Sequence, residues 1–233
     1  MQRRFQRTEL LIGSENMQKL ENATVAIIGL GGVGSYAAEA VARAGVGKIV
    51  LVDHDVVEES NINRQLPALS STVGKLKVEV MQLRIKDINP EVNLKIFPLR
   101  YTSYTSRDIL EKPLDYVIDA IDSLQDKVHL IKTCMEENIK VVSSMGAANR
   151  LNPQMLKIGD ISETRICPVA KKVRHELRKS GILKGVTVVY SEEVPVKTDY
   201  NGETRLGSIS YVPATAGLLL ASCVINAIIE NKV

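Results

Sequence analysis

The stretch that most constrains this chain spans residues 24–55, TVAIIGLGGVGSYAAEAVARAGVGKIVLVDHD. Residues 25–28 form a continuous apolar run rich in β-branched side chains, the pattern of a strand covered on both faces in a parallel sheet. Glycines begin where that run ends: Gly29, Gly31 and Gly34 give G-x-G-x-x-G, with Gly32 inside it. One glycine permits the tight turn, one lets the backbone approach a phosphate, and one brings the next helix close to the strand. Residues 35–44 continue as a helix of small side chains, whose N-terminal N–H groups face an anion. Residues 48–52 form a second buried strand that delivers Asp53, about 20 residues beyond the last glycine, where a carboxylate meets a ribose hydroxyl. The expectation is a nucleotide site on an α/β, Rossmann-like, doubly wound and mostly parallel sheet.

The chain has 233 residues, long enough to bury a sizeable core. At 45% hydrophobic and 24% charged residues it reads as a soluble globular protein without low-complexity segments. Its net charge of +3 neither demands nor opposes an anionic partner. One domain is expected, with residues 1–150 as a nucleotide-binding core and 151–233 as an elaboration for substrate and dimer contacts. The N-terminus lacks an apolar signal core, and Cys134, Cys167 and Cys223 are widely spaced without a C-x-x-C pair. These features predict a cytoplasmic protein with buried thiols and no structural zinc site.

Along the chain, Arg3, Arg4 and Arg7 read as a solvated basic arm before a helix-like segment at 14–20. The polar connection 56–74 is too long to be idle, and its Arg64 offers a guanidinium fork to phosphate. Residues 75–88 have helical spacing, with Leu76, Val80, Leu83 and Met81 expected inside and Lys77 near the start, within reach of a triphosphate. A strand follows at 92–97. The buried run 114–121 delivers Asp119 and Asp122 at its carboxyl end, where a carboxylate can hold a metal that bridges phosphates. Asp122 is the stronger candidate, and capping of the helix 124–137 is its alternative role. Residues 140–144 form the next strand, turning at Gly146.

In the second half, a helix at 168–179 has Pro168 in its first turn and Val169, Val173 and Leu177 at burial spacing. Its other faces carry Lys171, Lys172, Arg174, His175, Arg178 and Lys179, a stripe that suits nucleic-acid phosphates or simply water. A strand at 186–190 precedes a polar loop with Glu192, Glu193, Lys197, Asp199 and Gly202. A strand at 208–211 is expected to feed the apolar run 212–229, which touches the lower limit for spanning a bilayer. With Pro213, Thr215, Ser222 and Asn226 in it, this run reads as a helix buried on the sheet rather than in a membrane.

Over nearly all of residues 4–150 the chain resembles the ubiquitin-activating and sulfur-carrier-activating adenylyltransferases. The resemblance rests on Arg4-Phe5-Gln6-Arg7, G-L-G-G-V-G-S, Asp53 with Asp55, S-N-I-N-R-Q at 60–65, V-G-x-x-K ending at Lys77, and D-A-I-D at 119–122. It implies that a carboxylate attacks the α-phosphate of ATP, releasing pyrophosphate and leaving an acyl-adenylate. It implies also that Asp53 holds the ribose, Arg64 and Lys77 bind phosphates, and Asp122 positions Mg2+. Gly29, Gly31, Gly32, Gly34, Asp55, Asn61 and Gln65 complete the implied nucleotide site. Arg7 would reach into the neighbouring subunit's site, which implies a homodimer.

The second half lacks the paired zinc motifs and the added sulfur-transfer domain common among carrier activators. Its segments 145–150, 158–161 and 167–174 resemble the branch of tRNA threonylcarbamoyladenosine dehydratases. That likeness implies a tRNA bearing threonylcarbamoyladenosine as substrate, with ring closure and net loss of water. Two other readings stay open at this level: adenylation of a ubiquitin-like sulfur carrier at its C-terminal glycine, and a non-catalytic scaffold that recruits a sulfur-relay protein.

Overall fold

The computed structural model describes residues 3–199 and 206–229. Gly202 of the polar loop and the tail 230–233 lie outside the described residues. In chain order the elements are α1 (Gln6–Ile12), α2 (Ser14–Asn22), β1 (Thr24–Ile28), α3 (Gly34–Ala44), β2 (Lys48–Val52), α4 (Lys77–Ile88) and β3 (Asn93–Phe97). They continue with α5 (Ser106–Ile109), β4 (Tyr116–Asp119), α6 (Leu124–Glu136), β5 (Lys140–Ser144), β6 (Leu156–Asp160), α7 (Pro168–Lys179), β7 (Thr187–Ser191) and α8 (Tyr211–Ile228).

The seven strands form one sheet in the order β3-β2-β1-β4-β5-β7-β6. Every pairing is parallel except that of the edge strand β6 with β7. The continuous apolar strands are explained by what covers them. In β1, Val25 and Ile27 enter the core made with α2, α3, α4 and α8, while Ala26 and Ile28 enter the core on the opposite face, with Leu130 and Cys134 of α6. Alternate side chains point to opposite faces, so a strand sandwiched between two helical layers reads as a continuous apolar run rather than an alternating one.

Successive strands run outward from β1 through β2 to β3, then return to β4 on the other flank of β1 and proceed through β5 to β7. The chain therefore leaves the carboxyl ends of β1 and β4 in opposite directions, and ligands of open α/β sheets occupy the crevice at that switch point. Residues 151–199 extend the same sheet through β6 and β7.

Several sequence expectations are corrected. The N-terminal arm is folded: Phe5 is buried with Met17 and Leu20 of α2, and the Arg4 Nη1 donates to the Ile88 carbonyl at 2.7 Å. Helix α4 starts at Lys77, because Leu76 is still extended at φ −61°, ψ 132°. Its buried face is Val78, Met81 and Ile85, whereas Leu83 is 73% exposed. Residues 208–211 form no strand; Tyr211 opens α8, and the Ser208 carbonyl accepts from Asn63 Nδ2 at 3.1 Å. The edge strand β6 was not foreseen. Helix α8 is long and apolar enough by composition to cross a membrane, yet Val212, Ala216, Leu220 and Val224 lie in the core. Gly217 permits that packing, since a Cβ there would fall 2.2 Å from the Val33 carbonyl oxygen. All three cysteines are free and buried, as expected.

Candidate active site

A cleft of about 970 Å3 opens at the carboxyl ends of β1, β2, β4 and β5. It is lined by Gly29, Gly31 and Gly32 from the turn, Asp53 and Asp55 from the end of β2, Asn61, Arg64 and Gln65 from the long connection, Lys77 from α4, and Asp122 beyond β4. Spread along the sequence from position 29 to position 122, these groups meet because the parallel strands all end at one edge.

The turn is held tightly. Gly29 has φ +91°, and a Cβ on it would lie 2.7 Å from the Ala120 carbonyl oxygen. Gly34 does not line the cleft; it lets α3 approach, since its Cβ would fall 1.8 Å from the Gly29 oxygen. Asp53 is buried and braces this turn: its Oδ2 accepts from Leu30 N at 2.6 Å and its Oδ1 from Asp55 N at 2.8 Å. Each carboxylate oxygen has a further lone pair for a ribose hydroxyl.

Lys77 is buried at the first turn of α4, and its Nζ donates to Asp55 Oδ2 at 2.7 Å. His54 Nε2 lies 3.3 Å from the other Asp55 oxygen. Among the described residues, Asp53, His54 and Asp55 bring potential metal-ligand atoms within 4.8 Å of one another, but both carboxylates are already engaged by Leu30, Asp55 and Lys77. Asn61 closes a capping box with Glu58. The Arg64 Nη1 donates to the Ser60 carbonyl at 2.9 Å and to Asn63 Oδ1 at 2.8 Å, which fixes the guanidinium at the cleft wall. Gln65 is buried beside Gly31, and among the described residues its Oε1 has no hydrogen-bond partner.

At the end of β4 the two aspartates separate in role. Asp119 is fully buried and accepts from Ile121 N at 3.0 Å, Lys127 Nζ at 2.7 Å and Ser143 Oγ at 2.5 Å. Asp122 is exposed on the cleft wall. It does not cap α6: the N-cap is Ser123, whose Oγ accepts from Asp126 N at 3.5 Å. The carboxylate is therefore available to the cleft, and a carboxylate beside phosphates is a usual way to hold magnesium.

Sequence reasoning missed two groups here. Arg100 lines the cleft and clasps Asp126 through Nε at 3.0 Å and Nη2 at 2.6 Å; its hydrogen bond to Asp126 raises its pKa further. The buried Lys127 lines the cleft as well. Neither belongs to a local motif, so only the fold reveals them.

Arg7 is exposed on α1 and is not among the residues lining this cleft. On α7 the buried face is Ala170, Val173 and Leu177, with Val169 partly covered and also lining the cleft. Lys171, Lys172 and Arg178 are exposed. Arg174 differs from them, because its Nη1 donates to the Thr164 carbonyl at 2.8 Å and to the Thr164 hydroxyl. It anchors the segment before α7 instead of extending the solvated stripe, and Lys179 is paired with Glu176 at 2.8 Å.

Known proteins resemble this chain along its whole length. It is 46% identical to the tRNA threonylcarbamoyladenosine dehydratase of Bacillus subtilis, across 99% of this chain and 96% of that protein. It is 36% identical to the enzyme of the same name from Haemophilus influenzae, across 99% and 95%. The crystal structure of the Escherichia coli tRNA N6-threonylcarbamoyladenosine dehydratase in complex with ATP superposes with a TM-score of 0.91 at 36% identity, covering 97% of this chain and 94% of that one. The ThiF family profile matches residues 5–233, and the chain belongs to the ThiF family.

Proposed function

We propose that this protein is an ATP-dependent tRNA threonylcarbamoyladenosine dehydratase. The observation that carries the reading is the gathering of the glycine turn, Asp53, Arg64, Lys77 and Asp122 around one cleft, in a chain similar throughout to enzymes of that name. Backbone N–H groups of the turn and the cations Arg64 and Lys77 hold the ATP phosphates, and Asp53 accepts from the ribose. The exposed Asp122 carboxylate suits Mg2+ as a hard oxygen donor, and the ion, when bound, would neutralise phosphate charge. The threonylcarbamoyl carboxylate is ionised at neutral pH and attacks the α-phosphate without a general base. The new P–O bond forms as the bond to pyrophosphate breaks. The substituent's own nucleophile then attacks the activated carbonyl carbon and releases its proton to solvent, the ring closes, and AMP leaves with the oxygen that the product loses. The chain's contribution is positioning and electrostatics.

The larger substrate is met outside the cleft. Lys171, Lys172 and Arg178 on α7 are its phosphate contacts, and residues 151–233 serve as the substrate and dimer elaboration of a single domain. The working form is a cytoplasmic homodimer in which Arg7 of each subunit completes its neighbour's site.

The test is pyrophosphate release from ATP and magnesium with tRNA that bears threonylcarbamoyladenosine and with the same tRNA lacking it. Stimulation by the modified tRNA alone, with loss of one water from the nucleoside, is the expected result. Release stimulated only by a ubiquitin-like carrier ending in Gly-Gly would replace this reading with carrier adenylation. Recruitment of a sulfur-relay protein without pyrophosphate release would replace it with the scaffold.

A further inference from the structure

Beneath Asp122 lies a buried polar cluster that the reaction just described does not use. The Asp119 carboxylate, at the last position of β4, is shared by Lys127 of α6, Ser143 of β5 and the Ile121 backbone N–H. Asp119 and Ser143 are fully buried, and Lys127 is 2% exposed. As a stabiliser such a pair is an inefficient choice: removing two charges from water offsets their attraction, and apolar replacements are often neutral or better.

What the cluster does accomplish is geometric. It joins β4, β5 and the first turns of α6, the elements around the turn 120–123. That turn is pinned from the opposite side too, where Ala120 N donates to the Ile28 carbonyl at 2.9 Å and the Ala120 oxygen packs against Gly29. Among the described residues no hydrogen bond or ion pair holds the Asp122 side chain itself; Arg100 attracts it electrostatically, and the backbone beneath it sets where the carboxylate starts from.

We propose that the Lys127–Asp119–Ser143 cluster is the positioning device for Asp122, fixing the turn that presents this carboxylate to the nucleotide phosphates and their metal. The inference rests on the role of Asp122 proposed above. Lys127, Asp119 and Ser143 are positioning residues: they act through the turn and not on the reacting atoms.

Two variants test this without leaving a stranded charge. Ser143→Ala removes one hydrogen bond and keeps the ion pair, and Asp119→Asn with Lys127→Met removes both charges at once. In each folded variant, kcat for pyrophosphate release should fall about 10-fold while the KM for ATP stays within about threefold, the scale seen when a supporting contact to a ligand side chain is lost. Manganese affinity in the presence of a non-hydrolysable ATP analogue, read by electron paramagnetic resonance, should weaken by about the same factor. In an Asp122→Asn background Ser143→Ala should add less than about a twofold change, since residues acting as one unit are not additive. A cluster that only stabilises the fold would lower the melting temperature and leave kcat and manganese affinity near wild type, and that result overturns the proposal. Equal effects of Ser143→Ala with and without Asp122 overturn it as well. The manganese readout stands even with a wild type that ignores tRNA, an outcome that sinks the dehydratase reading alone.

Discussion

Replacing Gly34 by alanine separates positioning from stability. A Cβ at Gly34 would lie 1.8 Å from the Gly29 carbonyl oxygen and 3.0 Å from Ala120 Cβ, and real Cβ contacts essentially never fall below 3.0 Å. The start of α3 must therefore retreat from the turn by at least 3.0 − 1.8 = 1.2 Å. The first obstacle is main chain, so no rotamer change relieves it, and α8 already packs against the same end of α3 through Gly217 and Val33. Overpacking of this kind costs about 1–3 kcal/mol, and alanine in place of a helical glycine returns about 0.5–1 kcal/mol. The net loss of roughly 0–2.5 kcal/mol leaves a domain folded when its stability is about 5–15 kcal/mol. On the proposed reading catalysis is less tolerant, because the N–H groups assigned to the phosphates move with α3, and a misplacement of about 1 Å costs on the order of 100-fold. That is about 2.7 kcal/mol in the barrier. Gly34→Ala should thus lower kcat/KM for ATP in pyrophosphate release by about 100-fold, with urea unfolding showing the smaller loss. Gly13→Ala is the control: at φ +81°, ψ 161° with nothing within 4 Å, it should cost about 1–3 kcal/mol of backbone strain and leave kcat/KM alone. A Gly34→Ala protein within about threefold of wild type for ATP would refute the close-approach reasoning.

Asp122→Ala should abolish turnover without lowering the melting temperature, because the side chain is exposed and makes no hydrogen bond or ion pair among the described residues; wild-type pyrophosphate release in this variant removes Asp122 from the chemistry. Mixing Arg7→Ala chains with Asp122→Ala chains should restore activity, since a site shared between subunits leaves one intact copy per mixed dimer, and a mixture as inactive as its parents refutes the shared site. Alanine at Lys171, Lys172 and Arg178 together should flatten the salt dependence of tRNA binding by about 2 in log–log slope, whereas Arg174→Ala should cost about 1–3 kcal/mol of stability by leaving the Thr164 carbonyl unpaired; the opposite assignment of the two effects refutes the split. Burial pushes the Cys134 thiol from 9.0 up to about 12. The native state thus keeps a proton that the unfolded chain releases, and the associated stability is present below pH 9 and lost as pH rises toward 12. Urea unfolding at pH 8 and pH 10 should show the decline; burial also pushes the Cys223 thiol up to about 11, so Cys134→Ala should reduce the slope and adding Cys223→Ala should reduce it further.

Which parts of this molecule were legible in the sequence follows from the range of the forces involved. The strands at 25–28 and 48–52, the turn between Gly29 and Gly34, and the position of Asp53 at the end of the second strand are fixed by neighbours a few residues away, and their placement reads correctly. Helix α4 shows the limit of local pattern. Leu76, Val80 and Leu83 make one apolar stripe and Val78, Met81 and Ile85 make another, and only the docking of α4 beside α3 decides that the second is buried. The expected strand at 208–211 fails because β7 is already flanked by β5 and β6, so no sheet edge remains beside it. The edge strand β6 escaped notice because LKIGD is half exposed and lacks a clear alternation. The Arg100–Asp126 pair joins positions 26 residues apart, with no signature in either segment.

Helix α7 carries the remaining argument. Lys171, Lys172, Arg174 and Arg178 are equivalent by composition and spacing, and the fold alone withdraws Arg174 by turning it onto Thr164. A cleft of about 970 Å3 is on the scale that holds a small molecule. On the dehydratase reading, the modified nucleoside alone can enter beside ATP, and the rest of the tRNA must be held outside. One element reaches both places: Val169 lines the cleft, packed against Gly146 at the end of β5, and the exposed basic residues follow within three further turns of the same helix. On that reading the rigid rise of the helix sets the distance between the proposed phosphate contacts and the reacting carboxylate. Lengthening or tilting α7 should consequently impair turnover on tRNA while sparing the affinity for ATP, whose proposed contacts come from the turn, the 56–77 connection and the end of β4.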